Sequence, residues 1–416
     1  MMKIITLSVC FFGFLALANL NADINVNLHN DTGQDVYAYL DYQPPTTIIT
    51  KNLLIDGKFH KIMKGETYKF VTSYINSGNL FFAIPGSESK SFIYEGGKTQ
   101  PPANGDAFSG FIEFSYVQGS PVYWDASNVD SVGMLYGVQL TDLDQDYSPK
   151  FGYKYPQADF INNLIEYCQF TQSEQKDAYK SFTIDRQKFS KLLGSTVCPQ
   201  AYSSKYSEYL KALRENIIEV TFYSDDMSND KVHIKNNPYI LWPNTAFNGS
   251  FYDAATVDGI NNVILKLTSQ DESTMTTIYL TTDALNGNTV VQSNSSKGMY
   301  VRGPEGCNDK DANNVSLNWT GKTPATTTQF QAWVDSVTRG LLCDLNLGLI
   351  PVAPKDDHYD QNNQKTWDKS GKYANRYNQY IVNNSNSYGM AYSDAAHSKV
   401  QFVTTGNVLA DVYLFS

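Results

Sequence analysis

The sequence lacks most of the short motifs that announce an enzyme. It has no G-x-S-x-G elbow, no phosphate-cradling G-x-x-x-x-G-K-[S/T] loop, no G-x-G-x-x-G turn and no H-E-x-x-H pair. These absences leave no local signal for a serine hydrolase, a P-loop nucleotidase, a dinucleotide-binding unit or a zincin. Histidine is scarce and scattered, at His29, His60, His233, His358 and His397, so no metal set or Ser–His–Asp set assembles along the chain. "DKDANN" at Asp309 and "DLDQDY" at Asp142 lack the glycine and the terminal glutamate of a calcium loop and read as solvated loops. No metal and no cofactor is implied. Charge is also sparse, with 18% Asp, Glu, Lys and Arg, a net charge of −10 and a pI near 5.0. That balance argues against nucleic acid or an anionic membrane as a partner.

There are only five cysteines, none in a C-x-x-C pair, which argues against a zinc site. Cys10 lies in "MMKIITLSVCFFGFLALANLNADINV", where Lys3 precedes an apolar run that ends in small residues at Ala18 and Ala22. Residues 1–22 read as a secretory signal peptide, with an apolar stretch too short to span a bilayer. The expectation is a soluble, monomeric protein outside the cytoplasm, secreted or periplasmic. Cys168, Cys198, Cys307 and Cys343 would then make two disulfides, in any of three connectivities.

What the chain has in plenty is aromatic residues, 13% overall with 29 Tyr and 5 Trp, a profile that suits β-strands and also sugar-stacking surfaces. From Asp23 to Leu140, short alternating runs such as "DVYAYLDY", "YKFVTSY", "NLFFAIP", "FIEFSYV" and "GVQLTDL" stand between turn residues, as in a sandwich or barrel. From Asp142 to Asn346 the texture changes. "ADFINNLIEYC" puts Phe160, Leu164 and Tyr167 on one helical face behind Asp159 as N-cap, and "SSKYSEYLKALRENIIEV" repeats the pattern through Tyr209, Leu210, Leu213 and Ile217. "TTTQFQAWVDSVTRGLL" is a third helical run, and "NNVILKLTS" and "TTIYLTTD" are strand-like runs among these helices. After Asn346 the chain turns polar and ends in "KVQFVTT" and "ADVYLFS". The expected layout is a leader at 1–22, a β-domain at 23–141, an inserted mixed α/β domain at 142–346 and C-terminal strands at 347–416 that complete the β-domain.

One hairpin concentrates acids. In "FIEFSYVQGSPVYWDASNVDSVGML", Ile112, Phe114 and Tyr116 take one face of a strand and Glu113 takes the other. If Gln118 to Ser120 form the loop, Glu113 pairs with Asp125. If Pro121 belongs to the loop as well, Ala126 takes that place and Asp125 turns to the opposite face. Asp130 lies further along and approaches Glu113 only if the chain bends or folds back. Paired carboxyls in unequal surroundings are how glycosidases divide acid and base work. A separation of about 5–5.5 Å suits retention, and about 6.5–9.5 Å leaves room for a water and suits inversion.

At these residues the chain resembles a known family. "IEFS", "YWDAS" and "NVD-SVGML" resemble the acidic segment of thaumatin-like proteins, as does "SGNLFFAIPG" upstream. The length, sparse cysteine and α/β insertion, with "RGLLCDLNLGLIP" and "YANRYNQYIVNNSNSYGMAYSDA", resemble glycoside hydrolase family 64, inverting endo-β-1,3-glucanases. The resemblance implies a mainly β fold: a thaumatin-like sandwich or barrel plus the α/β domain, with a groove between them for β-1,3-glucan. It matches Glu113 to the general acid and Asp130 to the general base, with Asp125 and Asp394 as further groove acids. Trp124 and Tyr392 are the expected stacking rings, and Asn346 and Tyr377 the expected polar contacts. The sequence departs from the family at Asn79 and Leu347, where arginine is usual, and at Ser393 and Ala395 around Asp394.

Overall fold

The computed structural model describes residues 23–48, 60–85, 107–116, 122–143, 148–153, 159–202, 207, 209–211, 217–222, 245–269, 277–282, 299–302, 345–346, 348, 374–389, 399–402 and 407–415. In chain order the strands and helices are β1 (Ile24–Asn30), β2 (Val36–Ile48), β3 (His60–Ile62), β4 (Thr67–Pro85), β5 (Ala107–Tyr116), β6 (Val122–Asp125), β7 (Ser131–Val132), β8 (Leu135–Asp142), β9 (Lys150–Gly152), α1 (Phe160–Cys168), α2 (Gln172–Ala178), β10 (Tyr179–Ile184) and β11 (Gln187–Leu193). They continue with β12 (Ile217–Phe222), β13 (Thr245–Val257), β14 (Ile260–Ser269), β15 (Thr277–Thr281), β16 (Met299–Arg302), α3 (Arg376–Asn384), β17 (Lys399–Phe402) and β18 (Val408–Phe415). The fold is mainly β.

These residues fall into two compact units. One holds the described chain up to Ala201 together with Tyr380 onward, and the other runs from Tyr202 to Gln379. The change of unit therefore falls at Ala201, later than the expected boundary at Asp142, and the return falls at Tyr380 instead of Leu347. The physical reason is pairing: β9 pairs with β8, and β11 pairs with β7, which ties residues 150–193 to the first unit.

The first unit is built on a ten-stranded sheet in the order β17-β6-β5-β4-β1-β18-β8-β9, with β2 on β4 and β3 on β2. β1 and β18 run side by side in parallel, so the two ends of the described chain are neighbours. The burial of β1 alternates strictly, with Ile24, Val26 and Leu28 inside. Each such side chain contributes about 1.5–3 kcal/mol when fully buried. Val408, Ala410, Val412 and Leu414 of β18 join them, with Phe82, Phe114, Trp124 and Tyr136, in one core. β4 is long enough to serve three partners: Thr67–Thr72 pairs with β1, and further along the strand it pairs with β5 and with β2.

A three-stranded sheet, β10-β11-β7, sits in the same unit. α1 buries Phe160, Ile161, Leu164, Ile165 and Cys168. Tyr167, expected on the buried face, is 37% exposed and rests its ring on Tyr380 at 5.3 Å. Asp159 stands at the N-cap without a side-chain hydrogen bond. α2 is better capped, because Thr171 and Glu174 form a reciprocal capping box. Cys168 and Cys198 are both buried; Cys307 and Cys343 lie outside the described residues, as does the leader.

The second unit carries a five-stranded antiparallel sheet in the order β12-β13-β14-β15-β16. Ile217, expected to continue a helix, opens β12 instead, and "TTTQFQAWVDSVTRGLL" lies outside the described residues. The β13–β14 hairpin turns through Asp258 and Gly259 at φ 49° and 82°, the left-handed pair that a tight hairpin needs. Asp258 then accepts hydrogen bonds at 2.6 Å from both Lys266 and the Tyr279 hydroxyl, which pins the turn to the sheet.

Candidate active site

The hairpin of β5 and β6 resolves the open question of register. Glu113 stands opposite Asp125, Phe114 opposite Trp124 and Ser115 opposite Tyr123. The apolar set Ile112, Phe114, Val122 and Trp124 faces the core, and Glu113, Ser115, Tyr123 and Asp125 lie half-buried on the other face. Directly opposed strand residues have Cα atoms about 4.5–5.5 Å apart, so the two acids are immediate neighbours. At ~5 Å and an effective dielectric of ~20 their repulsion, if both are charged, is on the order of 3 kcal/mol, less where water screens it.

The same register removes Trp124 from the list of stacking rings. It is 0% exposed and stacked on Phe114 at 4.4 Å, inside the core, so its ring faces no groove. Tyr123, one residue earlier, shares the face of Glu113 and Asp125, and burial raises its hydroxyl pKa above the ordinary value. A further aromatic row lies two residues along the strands: Phe111 against Phe81 at 5.3 Å, and Phe81 against Tyr39 at 6.3 Å. Asn79 of β4 is the cross-strand partner of Glu113 on the side away from Asp125.

After Asp125 the chain leaves the hairpin. Ala126 accepts from the Tyr388 amide at 3.1 Å, and the Asn128 amide donates to the Tyr388 carbonyl at 2.7 Å. This short parallel bridge turns the backbone toward β7 and places Asp130 just before that strand. The Gly194 amide, just beyond β11, then donates to the Asp130 carbonyl at 2.8 Å. A Cβ on Gly194 would lie 2.3 Å from the Val129 carbonyl oxygen, so only glycine lets the two segments come this close.

Asp130 as a residue keeps part of its surface open, but its carboxyl is hemmed in by protein. That desolvation raises its pKa, and the charge of Lys191 opposes the rise. Lys191, on β11, is 4% exposed and donates to the Ser109 hydroxyl at 2.7 Å. Ser109 belongs to β5, four residues before Glu113 and on the same face, about 13 Å away along the strand. Tyr136 completes the surroundings. Burial places its pKa well above the ordinary 10.0, and the charges of Tyr153, Glu113 and Asp125 add to the effect, while its hydroxyl donates to the Ser127 carbonyl at 3.2 Å.

The remaining expected residues separate. Asn346 and Tyr377 belong to the second unit and are packed inside it, at 1% and 0% exposure. Asn346 holds Asn375 through backbone and side chain, at 2.6 and 3.1 Å, and Tyr377 packs edge-on against Tyr202. Both were expected as sugar contacts; here both side chains are buried against protein groups of their own unit. Tyr392 and Asp394 lie outside the described residues. Among the described residues no three of His, Cys, Asp and Glu gather as a metal site. Lys191, Ser109 and Tyr136 had gone unnoticed. No local signal marks them, because the contacts that bring them together span long stretches of chain. Tyr123 could have been found from strand alternation alone.

No protein-family profile matches this sequence, and a comparison with curated proteins returns no match. Solved structures do match: this is a fold shared with β-1,3-glucanases. The chain is similar to a laminaripentaose-producing β-1,3-glucanase solved with laminaritetraose, at 11% identity and a TM-score of 0.56, covering 95% of this chain and 99% of that one. A family 64 β-1,3-glucanase domain from Clostridium beijerinckii also matches, at 10% identity and a TM-score of 0.48 over 96% and 100% of the two chains. So does the family 64 laminaripentaose-producing enzyme from Paenibacillus barengoltzii complexed with laminarihexaose, at 12% identity and 0.44 over 94% and 75%. At these identities the likeness is one of fold.

Proposed function

We propose that this chain is a secreted glycoside hydrolase that cleaves β-1,3-glucan with inversion. The observation that carries the reading is the β5–β6 register, which sets Glu113 beside Asp125 on the face away from the core. The shared fold supports it, because the neighbour with the higher TM-score is a β-1,3-glucanase bound to a laminari-oligosaccharide. Glu113, with a second acid directly opposite it in the register, is the proton donor in this reading. Asp130 is desolvated and therefore a stronger base than a free carboxylate, and Lys191 opposes its protonation.

In the reaction, Asp130 takes a proton from a water whose oxygen attacks the anomeric carbon. The glycosidic C–O bond breaks, and Glu113 gives its proton to the departing oxygen. The product carries the α configuration. Tyr123 and Phe111, on the face of Glu113, are the rings available to stack on sugar. The leader-like residues 1–22 support the secreted location.

The test is laminarin hydrolysis followed by NMR of the anomeric product. The wild-type chain yields α-configured oligosaccharides, and Glu113→Gln lowers kcat by about 10²–10⁴-fold with the fold intact. Full activity in that variant overturns the assignment. A second reading, a glucan-binding protein without catalysis, draws on Asn79, which stands next to Glu113 where family 64 usually has arginine. It is distinguished by laminarin binding with no reducing ends released.

A further inference from the structure

On the face of the large sheet away from its core, the register lines up Lys69, Asn27, Asp411, Gln139 and Lys150 across β4, β1, β18, β8 and β9. Cross-strand neighbours share a face and strands stand about 4.8 Å apart, so this polar row is roughly 19 Å long. All five residues reach solvent at least in part. The next row along the strands holds Thr67, His29 and Tyr413. Asp411 Oδ1 accepts from Asn27 Nδ2 and meets His29 Nε2, both at 2.9 Å. His29 Nδ1 meets the Thr67 hydroxyl at 2.9 Å, and the imidazole stacks on the Tyr413 ring at 4.5 Å. On the other side of the row, Asn25, Asn27, Lys69, Val71, Leu143 and Leu409 line a cavity of about 290 Å³.

These bonds fix the face without using it up. Among the described residues, Asp411 Oδ2, the Asn25 side-chain amide and the Lys69 ammonium have no protein partner. Donors and acceptors therefore stand side by side, with a carboxylate midway between two lysines. That carboxylate repels a polyanion and two lysines at the ends make no continuous basic field, whereas a neutral chain rich in hydroxyls answers both kinds of group. The Tyr413 and His29 rings add apolar surface at the edge of the row. We propose that this face is a carbohydrate-binding surface that holds a neutral β-1,3-glucan chain laid across the strands. The choice of β-1,3-glucan rests on the glucanase reading, while the neutral, hydroxyl-rich class rests on the row itself. The surface is separate from the acid hairpin: Lys69 precedes Asn79, the β4 partner of Glu113, by ten residues, a contour of about 33 Å.

The experiment titrates laminarihexaose into the Glu113→Gln chain and follows the His29 ring by NMR, its signal identified by disappearance in His29→Asn. The signal shifts and saturates, and Tyr413→Ala weakens that binding about tenfold. With Glu113 restored, Tyr413→Ala leaves kcat/KM on laminarihexaose unchanged and slows attack on insoluble β-1,3-glucan, which the outer face no longer holds. If Tyr413→Ala does not fold, Asn25→Ala combined with Lys69→Ala, which removes side chains that have no protein partner, is read in the same way. The titration needs no activity: a wild-type chain that leaves laminarin intact sinks the glucanase reading, while the His29 signal still decides the outer face. A signal that does not move, that moves equally with polygalacturonate, or that moves undiminished in the variants overturns the proposal.

Discussion

Gly194→Ala tests whether backbone approach sets the position of the proposed base. The added Cβ would stand 2.3 Å from the Val129 carbonyl oxygen and 3.3 Å from that of Asp130. Carbon–oxygen contacts in packed interiors do not close below about 3.0–3.4 Å, so the 129–130 segment has to retreat by ~0.7–1.1 Å. That retreat lengthens the 2.8 Å bond from the Gly194 amide to the Asp130 carbonyl and carries the carboxyl with it. A misplacement of about 1 Å at a reacting group lowers rate by about 10²-fold, and forced overpacking costs about 1–3 kcal/mol of stability. The assay is kcat and KM on laminarin together with urea unfolding. Ile24→Val in β1 serves as a control for stability alone, expected to lose about 0.5–1.5 kcal/mol with kcat unchanged. If Gly194→Ala keeps full kcat, the coupling of this contact to the base is refuted, whatever its melting behaviour.

Two further outcomes follow from the site. Trp124→Ala destabilises the fold by about 3–5 kcal/mol because it empties a core position stacked on Phe114. Tyr123→Ala, on the opposite face, costs on the order of 1 kcal/mol or less and instead raises KM for laminarin; the reverse pattern would refute the observed register. Tyr136 and Tyr153 both have pKa values raised above 10.0 by burial. The folded chain therefore keeps phenol protons that the unfolded chain loses, and this contribution is complete below pH 10.0 and disappears as pH rises through the raised values. Urea midpoints measured from pH ~8 to ~11 should fall steeply in the wild type and less steeply in Tyr136→Phe; equal slopes would refute the burial argument.

What could be read in the sequence was whatever alternation or turn chemistry writes locally. The runs "ADVYLF" and "KVQF" alternate and fall in β18 and β17. The hairpin was legible down to two registers, because a turn of unknown length leaves a one-residue choice. That choice carried the error over Trp124: its size and its place beside Asp125 suggested a sugar platform, but in the register that pairs Glu113 with Asp125 the intervening residue must face the core. Asn346 and Tyr377 were named from resemblance, and nothing local in the sequence signals that both would be buried. Lys191 illustrates the limit, since its partners on β5 lie more than eighty residues away.

The placement of one acid inside the large sheet and the other just before a strand of the small one has a mechanical consequence. Glu113 is held by the β4–β5–β6 ladder, and Asp130 by the pairing of β7 with β11. The gap between them, which decides whether a water fits, therefore depends on the connector from Ala126 to Val129 as well as on the contacts of β5 with the far side, where the Met134 amide and the Lys191 ammonium both donate to Ser109. That connector is held in place by main-chain bonds to Tyr388, at 2.7 and 3.1 Å. A side-chain change at Tyr388 leaves those amides intact, whereas a proline there deletes the bond to Ala126. The geometry of the acid pair thus depends in part on main-chain bonds to a residue far along the chain from both carboxyls.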